Sequence, residues 1–169
     1  MGALTPHKWQ YVDEQEQLFF PWYTRPFLDI LQTWNVSSWS VFEYGGGNST
    51  LWWRRKAKLV HSVDTNKDWA AKIDMPCVTD KQDFLKYPLS TEHLYDCIVI
   101  DGEPVAWRDE CTAYAIKALK PNGIIIIDNY EQATVQLQNW PLTDKLLEKF
   151  EKHVYKQPDH QDWKTAYWM

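Results

Sequence analysis

The sequence predicts an α/β fold with a mostly parallel central sheet, helices on both faces and an antiparallel hairpin near the C-terminus. From residue 40 onward, short β-rich runs alternate with segments of helical pattern, and this alternation is typical of parallel sheets. The run 124–127 contains four consecutive isoleucines, as expected for a central strand that is buried on both faces. Acidic residues directly follow several predicted strands, so we expect them to gather at one edge of the sheet.

The first half of this pattern contains three predicted strands and two predicted helices. The strands span 40–44, 59–63 and, more weakly, 76–79, and the helices span 51–57 and 67–73. Polar residues of the types favoured at N-caps precede both helices, at 48–50 and at Asn66. Residues 83–86 predict no more than a single helical turn.

The second half continues the alternation and ends in the predicted hairpin. The strands span 95–100 and 124–127, and the helices span 105–119 and 143–153, the latter capped by Thr143. The segment 120–123, with its proline and glycine, should stop the preceding helix. Residues 154–169 predict two antiparallel strands around the turn-forming segment 157–160.

The length of 169 residues and the mass of 20.1 kDa predict one domain, with a helical cover at 1–39 and a C-terminal helix and strands at 131–169. The hydrophobic fraction of 44% and the charged fraction of 24% are those of an ordinary globular domain. No apolar run approaches the length of a membrane helix, and the N-terminal residues show no secretory pattern. We therefore expect a cytoplasmic protein with no membrane partner.

The charge and the cysteines exclude two further classes. A net charge of −5 argues against a broad nucleic-acid interface, which needs a basic face. Cys77, Cys97 and Cys111 form no CxxC pair, so we expect reduced, buried thiols rather than a zinc site.

The aromatic content is unusually high, at 15% of the chain with eleven tryptophans. Such rings usually fill core and interface volume. The sequence therefore predicts that most of them pack in the core or form an aromatic surface through which the chain makes a homo-oligomer.

The ligand-binding edge of the predicted sheet begins with a glycine-rich turn. The three glycines 45–47 allow close approach of the backbone to a ligand, and the following helix offers free N–H groups. Asp64 ends the second strand 19 residues after Gly45, where a carboxylate can accept the ribose hydroxyls of a nucleoside. A dinucleotide fingerprint would need glycine where Thr50 stands, and Glu43 would disfavour a pyrophosphate. S-adenosylmethionine, with its sulfonium, its ammonium and no phosphate, matches this loop.

These residues resemble those of class I S-adenosylmethionine-dependent methyltransferases. The resemblance rests on Glu43-x-Gly45-x-Gly47 after the first strand, Asp64 after the second, the strand 95–100 with the Asp101-Gly102 that follows it, and the turn 120–123 before the next strand. It covers about 40–130, which we therefore assign as the cofactor-binding core, and the short segments 22–26 and 42–53 are similar to small bacterial and phage members.

The resemblance implies that the loop 43–48 holds the methionine part of the cofactor and Asp64 the ribose. Asp80 or Asp83 would approach the adenine amino group, and the sequence leaves that choice open. The full set of expected cofactor-binding residues is Glu43, Gly45, Gly46, Gly47, Asn48, Ser49, Asp64, Thr65, Asp80, Asp83 and Asp101.

Asp101, Asp128 and Asn129 stand at two strand ends and could offer three oxygens to Mg²⁺. This is similar to the metal site of catechol-type O-methyltransferases, and it would make Asp101 and Asp128 the catalytic residues. The resemblance is incomplete, because the lysine base of those enzymes is replaced by Pro104. Alternatively, Asp101 orders the cofactor loop and Asp128 caps the next turn.

No other side chain stands out as a base. His153, His160, Glu103 and Glu131 are candidates without a motif partner. The segment 128–130 lacks the two prolines of the amino-methyltransferase motif, which disfavours a base or an amide as acceptor.

The predicted function is methyl transfer to a small polar acceptor, at an oxygen atom. Two alternatives remain open: a non-catalytic S-adenosylmethionine-binding or scaffold protein of the same fold, and another nucleoside-using enzyme such as an aminopropyl transferase or an NAD-dependent oxidoreductase.

Overall fold

A six-stranded sheet forms the centre of the computed structural model, which describes residues 20–131, 140–160 and 162–169. The strands are β1 (Ser40–Tyr44), β2 (Leu59–Val63), β3 (Tyr95–Ile100), β4 (Leu119–Ile127), β5 (Lys152–Lys156) and β6 (Lys164–Trp168). Their order across the sheet is β2-β1-β3-β4-β6-β5. The first four strands are parallel, and β6 pairs antiparallel with β4 and with β5. This confirms the predicted fold class and its C-terminal hairpin.

Six helices accompany these strands in the described residues. They are α1 (Arg25–Leu31), α2 (Asn48–Lys56), α3 (Lys67–Ile73), α4 (Lys81–Ser90), α5 (Arg108–Ala118) and α6 (Pro141–Leu146). A short 3₁₀ turn, Val105–Trp107, precedes α5. The helices bury apolar side chains on both faces of the sheet, as the sequence predicts.

Successive strand residues point to opposite faces and build two cores. One core joins Phe42, Ile98 and Ile125 to side chains of α4 and α5. The other joins Val41, Val99 and Ile126 to side chains of α1 and α2. Helix α1 falls within the predicted N-terminal cover, and the remainder of that cover before residue 20 lies outside the described residues.

The segment after β2 differs from the prediction in two respects. The weak strand at 76–79 is reduced to a single bridge between Asp64 and Cys77. The predicted turn at 83–86 is instead the ten-residue helix α4, whose N-cap Asp80 accepts a hydrogen bond from the Asp83 backbone at 3.0 Å. The proline at 88 obscured this helix in the sequence, but burial of Phe84, Leu85 and Pro88 stabilises it.

The C-terminal third also departs from its predicted boundaries. Strand β4 begins at Leu119 and runs through the segment expected to be a turn, with a shift of register against β3. Helix α6 spans only Pro141–Leu146, and β5 begins at Lys152, so a helix forms here but the predicted bounds of 143–153 are wrong. Thr143 is not its cap: the two carboxylate oxygens of Asp109 on α5 accept hydrogen bonds from the backbone N–H groups of Leu142 and Thr143 at 3.1 and 2.9 Å.

Two further observations concern the cysteines and the helices. Cys97 and Cys111 are buried, as the sequence predicts, whereas Cys77 is exposed. Within the described residues, no helix combines the length and the apolarity that crossing a bilayer requires.

Candidate functional site

The glycine turn after β1 packs directly against the turn after β3. Gly45 has a φ of +78°, in the region that glycine adopts without strain. A Cβ placed on it would stand 2.5 Å from the Cα of Gly102 and 2.7 Å from its nitrogen. This contact brings the two turns together at the carboxyl edge of the sheet.

Glu43 is linked to this glycine turn through the hydroxyl group of Thr50. Its side chain is completely buried, and its Oε2 accepts a short hydrogen bond from the Thr50 hydroxyl. The Thr50 Oγ1 in turn accepts the backbone N–H of Gly47 at 3.0 Å. Burial raises the pKa of Glu43 to about 8, although hydrogen bonds from Ser49 and Thr50 oppose the shift.

Asp64 is held in a fixed orientation at the end of β2. Its Oδ2 accepts the backbone N–H of Gly46 at 2.9 Å, and its Oδ1 accepts that of Asn66 at 2.7 Å. Both carboxylate oxygens retain further acceptor capacity.

A cavity of about 700 Å³, which we call the β2 cavity, opens beside Asp64. Its lining comes from the ends of β1, β2 and β3 and from the first turns of α3: Gly45, Gly46, Asp64, Thr65, Asn66, Asp68, Trp69, Lys72, Asp101 and Glu103. A second cavity of about 310 Å³, the glycine-loop cavity, is lined by Trp22, Gly46, Gly47, Asn48, Ser49, Trp69 and Asp101. Because Gly46, Trp69 and Asp101 line both, the two cavities adjoin.

A third cavity of about 360 Å³ lies toward the β5–β6 hairpin, and we call it the hairpin cavity. It is lined by Trp22, Asp101, Glu103, Arg108, Asp128, Asn129, Glu131, His160 and Trp163. Asp101 therefore lines all three cavities, and Trp22 lines the glycine-loop and hairpin cavities.

Arg108, at the start of α5, joins the ends of β3 and β4. Its guanidinium donates to the backbone carbonyls of Gly102 at 2.8 Å, Asp128 at 2.8 Å and Asp101 at 3.1 Å. Its Nη2 also lies 3.4 Å from the Oδ1 of Asp101. Arg108 is 2% exposed. Its guanidinium is therefore a buried positive charge that lies between the ends of β3 and β4.

The two aspartates at these strand ends have perturbed protonation equilibria. Burial raises the pKa of Asp101, while the Arg108 guanidinium lowers it and the Glu103 carboxylate raises it. Burial also raises the pKa of Asp128, and the nearby Asp101 carboxylate raises it further. The Oδ1 of Asp128 accepts hydrogen bonds from the Thr165 hydroxyl at 2.6 Å and from the Trp163 indole at 3.3 Å.

These residues do not fit the Mg²⁺ site that the sequence predicts at Asp101, Asp128 and Asn129. The Arg108 guanidinium already stands beside Asp101, and one Asp128 oxygen is used by two protein donors. Among the described residues, no group of three histidine, cysteine or acidic side chains is placed to hold a metal ion. We therefore assign no step to a metal.

Most of the predicted cofactor residues meet at the first two cavities. The residues that line them are Gly45, Gly46, Gly47, Asn48, Ser49, Asp64, Thr65 and Asp101. Glu43 lies beneath the loop rather than in a cavity wall, and Asp80 and Asp83 do not line either cavity. An adenine contact from Asp80 or Asp83 stays a prediction.

Sequence reasoning missed several lining residues. Trp69 lies in the first turn of α3, the helix that follows β2, and this position near a strand end is the signal that could have identified it. Trp22 precedes α1, and Trp163 stands directly before the antiparallel strand β6, so neither follows one of the parallel strands whose ends form the predicted edge. Arg108 was missed because its partners are backbone carbonyls, which leave no mark in the sequence.

The sheet order, the crossovers and the turn after β1 define the class I methyltransferase fold, and solved structures of such enzymes match this chain along most of its length. An rRNA methylase from Streptococcus thermophilus is 12% identical, with 79% of this chain and 88% of that chain covered and a TM-score of 0.56. The N-methyltransferase NodS from Bradyrhizobium japonicum is 16% identical, with 85% and 96% covered and a TM-score of 0.58. The O-methyltransferase TomG from Streptomyces achromogenes, in complex with S-adenosylmethionine, is 15% identical, with 84% and 77% covered and a TM-score of 0.62.

At these identities the likeness shows the fold. No protein-family model matches the sequence, and curated protein sequences give no match either. The names of the three solved proteins differ in the kind of acceptor, so the acceptor of this chain has to be argued from its own cavities.

Proposed function

We propose that this protein transfers a methyl group from S-adenosylmethionine to an oxygen atom of a small polar acceptor. The observation that carries the proposal is the position of Asp101, which lines the β2, glycine-loop and hairpin cavities at once. In a methyl transfer, the nucleoside and the amino-acid part of the cofactor and the acceptor must all approach one reactive carbon. Three cavities that meet at Asp101 could hold these three parts.

The β2 and glycine-loop cavities fit the cofactor. The oriented Asp64 carboxylate would accept the ribose hydroxyls, and the loop after β1 would hold the methionine part. Among the residues that line the two cavities, Lys72 is the one basic side chain, so a pyrophosphate would find little charge compensation there. Bound in these cavities, S-adenosylmethionine would supply a methyl group on a positively charged sulfur.

The hairpin cavity would hold the acceptor, because it shares Asp101 and Trp22 with the cofactor side. A new bond forms between the acceptor oxygen and the methyl carbon while the carbon–sulfur bond breaks. The hydroxyl proton passes to Asp101 or Asp128, whose raised pKa values suit a carboxylate that accepts a proton. These two aspartates are thus the proposed catalytic residues.

Calorimetric titration with S-adenosylhomocysteine tests the cofactor assignment. We expect the protein to bind it and to bind NAD and decarboxylated S-adenosylmethionine at least about tenfold more weakly. Asp64→Ala should weaken the binding of S-adenosylhomocysteine by about tenfold or more, because charge-assisted hydrogen bonds to the ribose are lost.

Asp144→Ala is the matched control, since Asp144 lies on α6 and lines none of the three cavities. Equal affinity of the folded Asp64→Ala protein and the wild type would refute the ribose assignment. Tighter binding of NAD would instead favour an oxidoreductase. Binding of the cofactor without methylation of any hydroxyl compound would favour the non-catalytic alternative.

A further inference from the structure

The hairpin cavity carries a surplus of negative charge. Its lining contains four carboxyl groups, one guanidinium and the imidazole of His160. The carboxyl groups belong to Asp101, Glu103, Asp128 and Glu131. The positive sulfur of the bound cofactor would balance at most one of these carboxylates, so the remaining excess points to the other occupant of the cavity.

The one guanidinium does not neutralise this excess. Arg108 directs three N–H groups at the backbone carbonyls of the two strand ends, and its closest carboxylate oxygen, on Asp101, is 3.4 Å away. Arg108 therefore has a structural role, and its single positive charge faces two carboxylates, those of Asp101 and Glu103.

Asp128 presents a buried carboxylate in the wall of the hairpin cavity. The residue is 2% exposed, and both side-chain donors that reach its carboxylate, Thr165 and Trp163, bond to Oδ1. A backbone hydrogen bond from Asn129 also stabilises this carboxylate and lowers its pKa, against the rise that burial causes. Ionising a carboxyl group this deep in a cavity wall is costly, and a cation bound in the cavity would offset that cost.

Glu131 adds a second oriented carboxylate. Its Oε2 accepts the backbone N–H of Lys164 at 2.7 Å, which ties the carboxylate to the start of β6. Burial raises the pKa of Glu131, as it does for Asp128, so a cation in the cavity would stabilise the ionised form of both.

Two indole rings complete the wall. Trp163 is buried, and Trp22 is 41% exposed and stands where the hairpin cavity meets the glycine-loop cavity. Tryptophan is the aromatic side chain with the strongest attraction for ammonium groups. Carboxylates and indoles together are the chemistry that recognises an organic ammonium ion.

We propose that the acceptor carries a protonated amine, which the hairpin cavity binds through Asp128, Glu131 and its two tryptophans. This inference rests on the proposed function and names the acceptor class within it. The ammonium group anchors the molecule, and the hydroxyl to be methylated is a separate group directed toward Asp101 and the cofactor side.

A matched pair of probes tests the inference with S-adenosylhomocysteine already bound. Tyramine and tyrosol share a phenol and an ethyl chain and differ in a terminal ammonium against a terminal hydroxyl. Calorimetric titration of the loaded protein should show tyramine binding at least about tenfold more tightly than tyrosol.

Three variants test which side chains cause the preference for tyramine over tyrosol. Asp128→Asn and Glu131→Gln should each reduce the preference for tyramine several-fold, while Glu148→Gln, at an exposed position that lines none of the three cavities, should leave it unchanged. Tyrosol bound as tightly as tyramine, or failure of the loaded protein to bind either probe, overturns the amine inference and leaves the proposed function intact. Failure of S-adenosylhomocysteine itself to bind refutes the proposed function, and the inference falls with it.

Discussion

Gly45 and Gly102 lie back to back, so close that a single added carbon on Gly45 would stand 2.5 Å from the Cα of Gly102. The contact joins the turn after β1 to the turn after β3, and it places Asp101 beside the glycine loop. Asp101 is the residue that lines all three cavities, so this contact positions the point at which they meet.

Gly45→Ala should destabilise the fold strongly. The new Cβ would meet backbone atoms of Asp101 and Gly102 between 2.5 and 2.8 Å, and the φ of +78° is unfavourable for alanine. We expect a loss of about 2–4 kcal/mol in the free energy of unfolding, measured with urea.

Gly47→Ala is the matched control for that substitution. Gly47 has an extended φ of 168°, and a Cβ there would meet the Trp69 ring at 3.3 Å, which a small shift relieves. Its cost should be clearly smaller. Equal effects of the two substitutions would mean that the backbone contact at Gly45 does not determine the stability of the loop.

Glu43→Gln should change how stability depends on pH. The pKa of Glu43 is about 8 in the folded protein against an ordinary value of 4.5, so the folded state keeps a proton that the unfolded state releases. Stability from this group is therefore complete below about pH 4.5 and is lost as the pH rises toward 8, by about 1.4 kcal/mol per pH unit. The glutamine variant lacks this contribution.

Urea unfolding at about pH 5.5 and pH 7.5 measures the effect as a difference between two proteins. We expect the wild type to lose about 2–3 kcal/mol more than Glu43→Gln over this interval. Other titrating groups, including Asp101 and Asp128, are present in both proteins and cancel to first order. Parallel pH profiles would show that Glu43 is ionised in the folded protein.

The sequence predicts the position of some residues of the site and not of others. Asp64 and the glycine loop follow their strands directly, and parallel strands bring such positions to one edge whatever the details of packing. Trp163 reaches the same edge only because β6 inserts beside β4, which is a tertiary event. Helix α4 was missed for a related reason, since core burial outweighs the local cost of Pro88.

Asp80→Ala and Asp83→Ala decide which predicted adenine contact, if either, exists. Asp80 caps α4, so its loss should cost about 1 kcal/mol of stability regardless of any ligand. A drop in affinity for S-adenosylhomocysteine in one variant alone would assign the adenine contact to that residue. Unchanged affinity in both would show that Asp80 has only its capping role and that neither aspartate contacts adenine.

Arg108→Met should destabilise the protein by about 3–5 kcal/mol, because three backbone carbonyl groups, two of them in buried hydrogen bonds, lose their donor and Asp101 loses its nearest cation. Arg108→Lys should recover part of this loss, since an ammonium restores the charge but cannot reproduce the planar fork. Urea unfolding compares the three proteins. Equal stability of the methionine and lysine variants would indicate that the geometry of the guanidinium matters and its charge does not.

The last prediction concerns the metal that the sequence suggests and the side chains disfavour. Mg²⁺ prefers six oxygen ligands, and a second cation beside Asp101 would face the Arg108 guanidinium, which lies 3.4 Å from that carboxylate. Millimolar MgCl₂ should therefore leave the Tm of the wild type unchanged relative to NaCl of equal ionic strength. In Arg108→Met the acids lose their built-in cation, so Mg²⁺ should raise the Tm of that variant by binding to the folded state. The opposite pattern, in which Mg²⁺ stabilises the wild type and Asp128→Asn removes the gain, would establish the metal site and show that Arg108 moves aside to admit it.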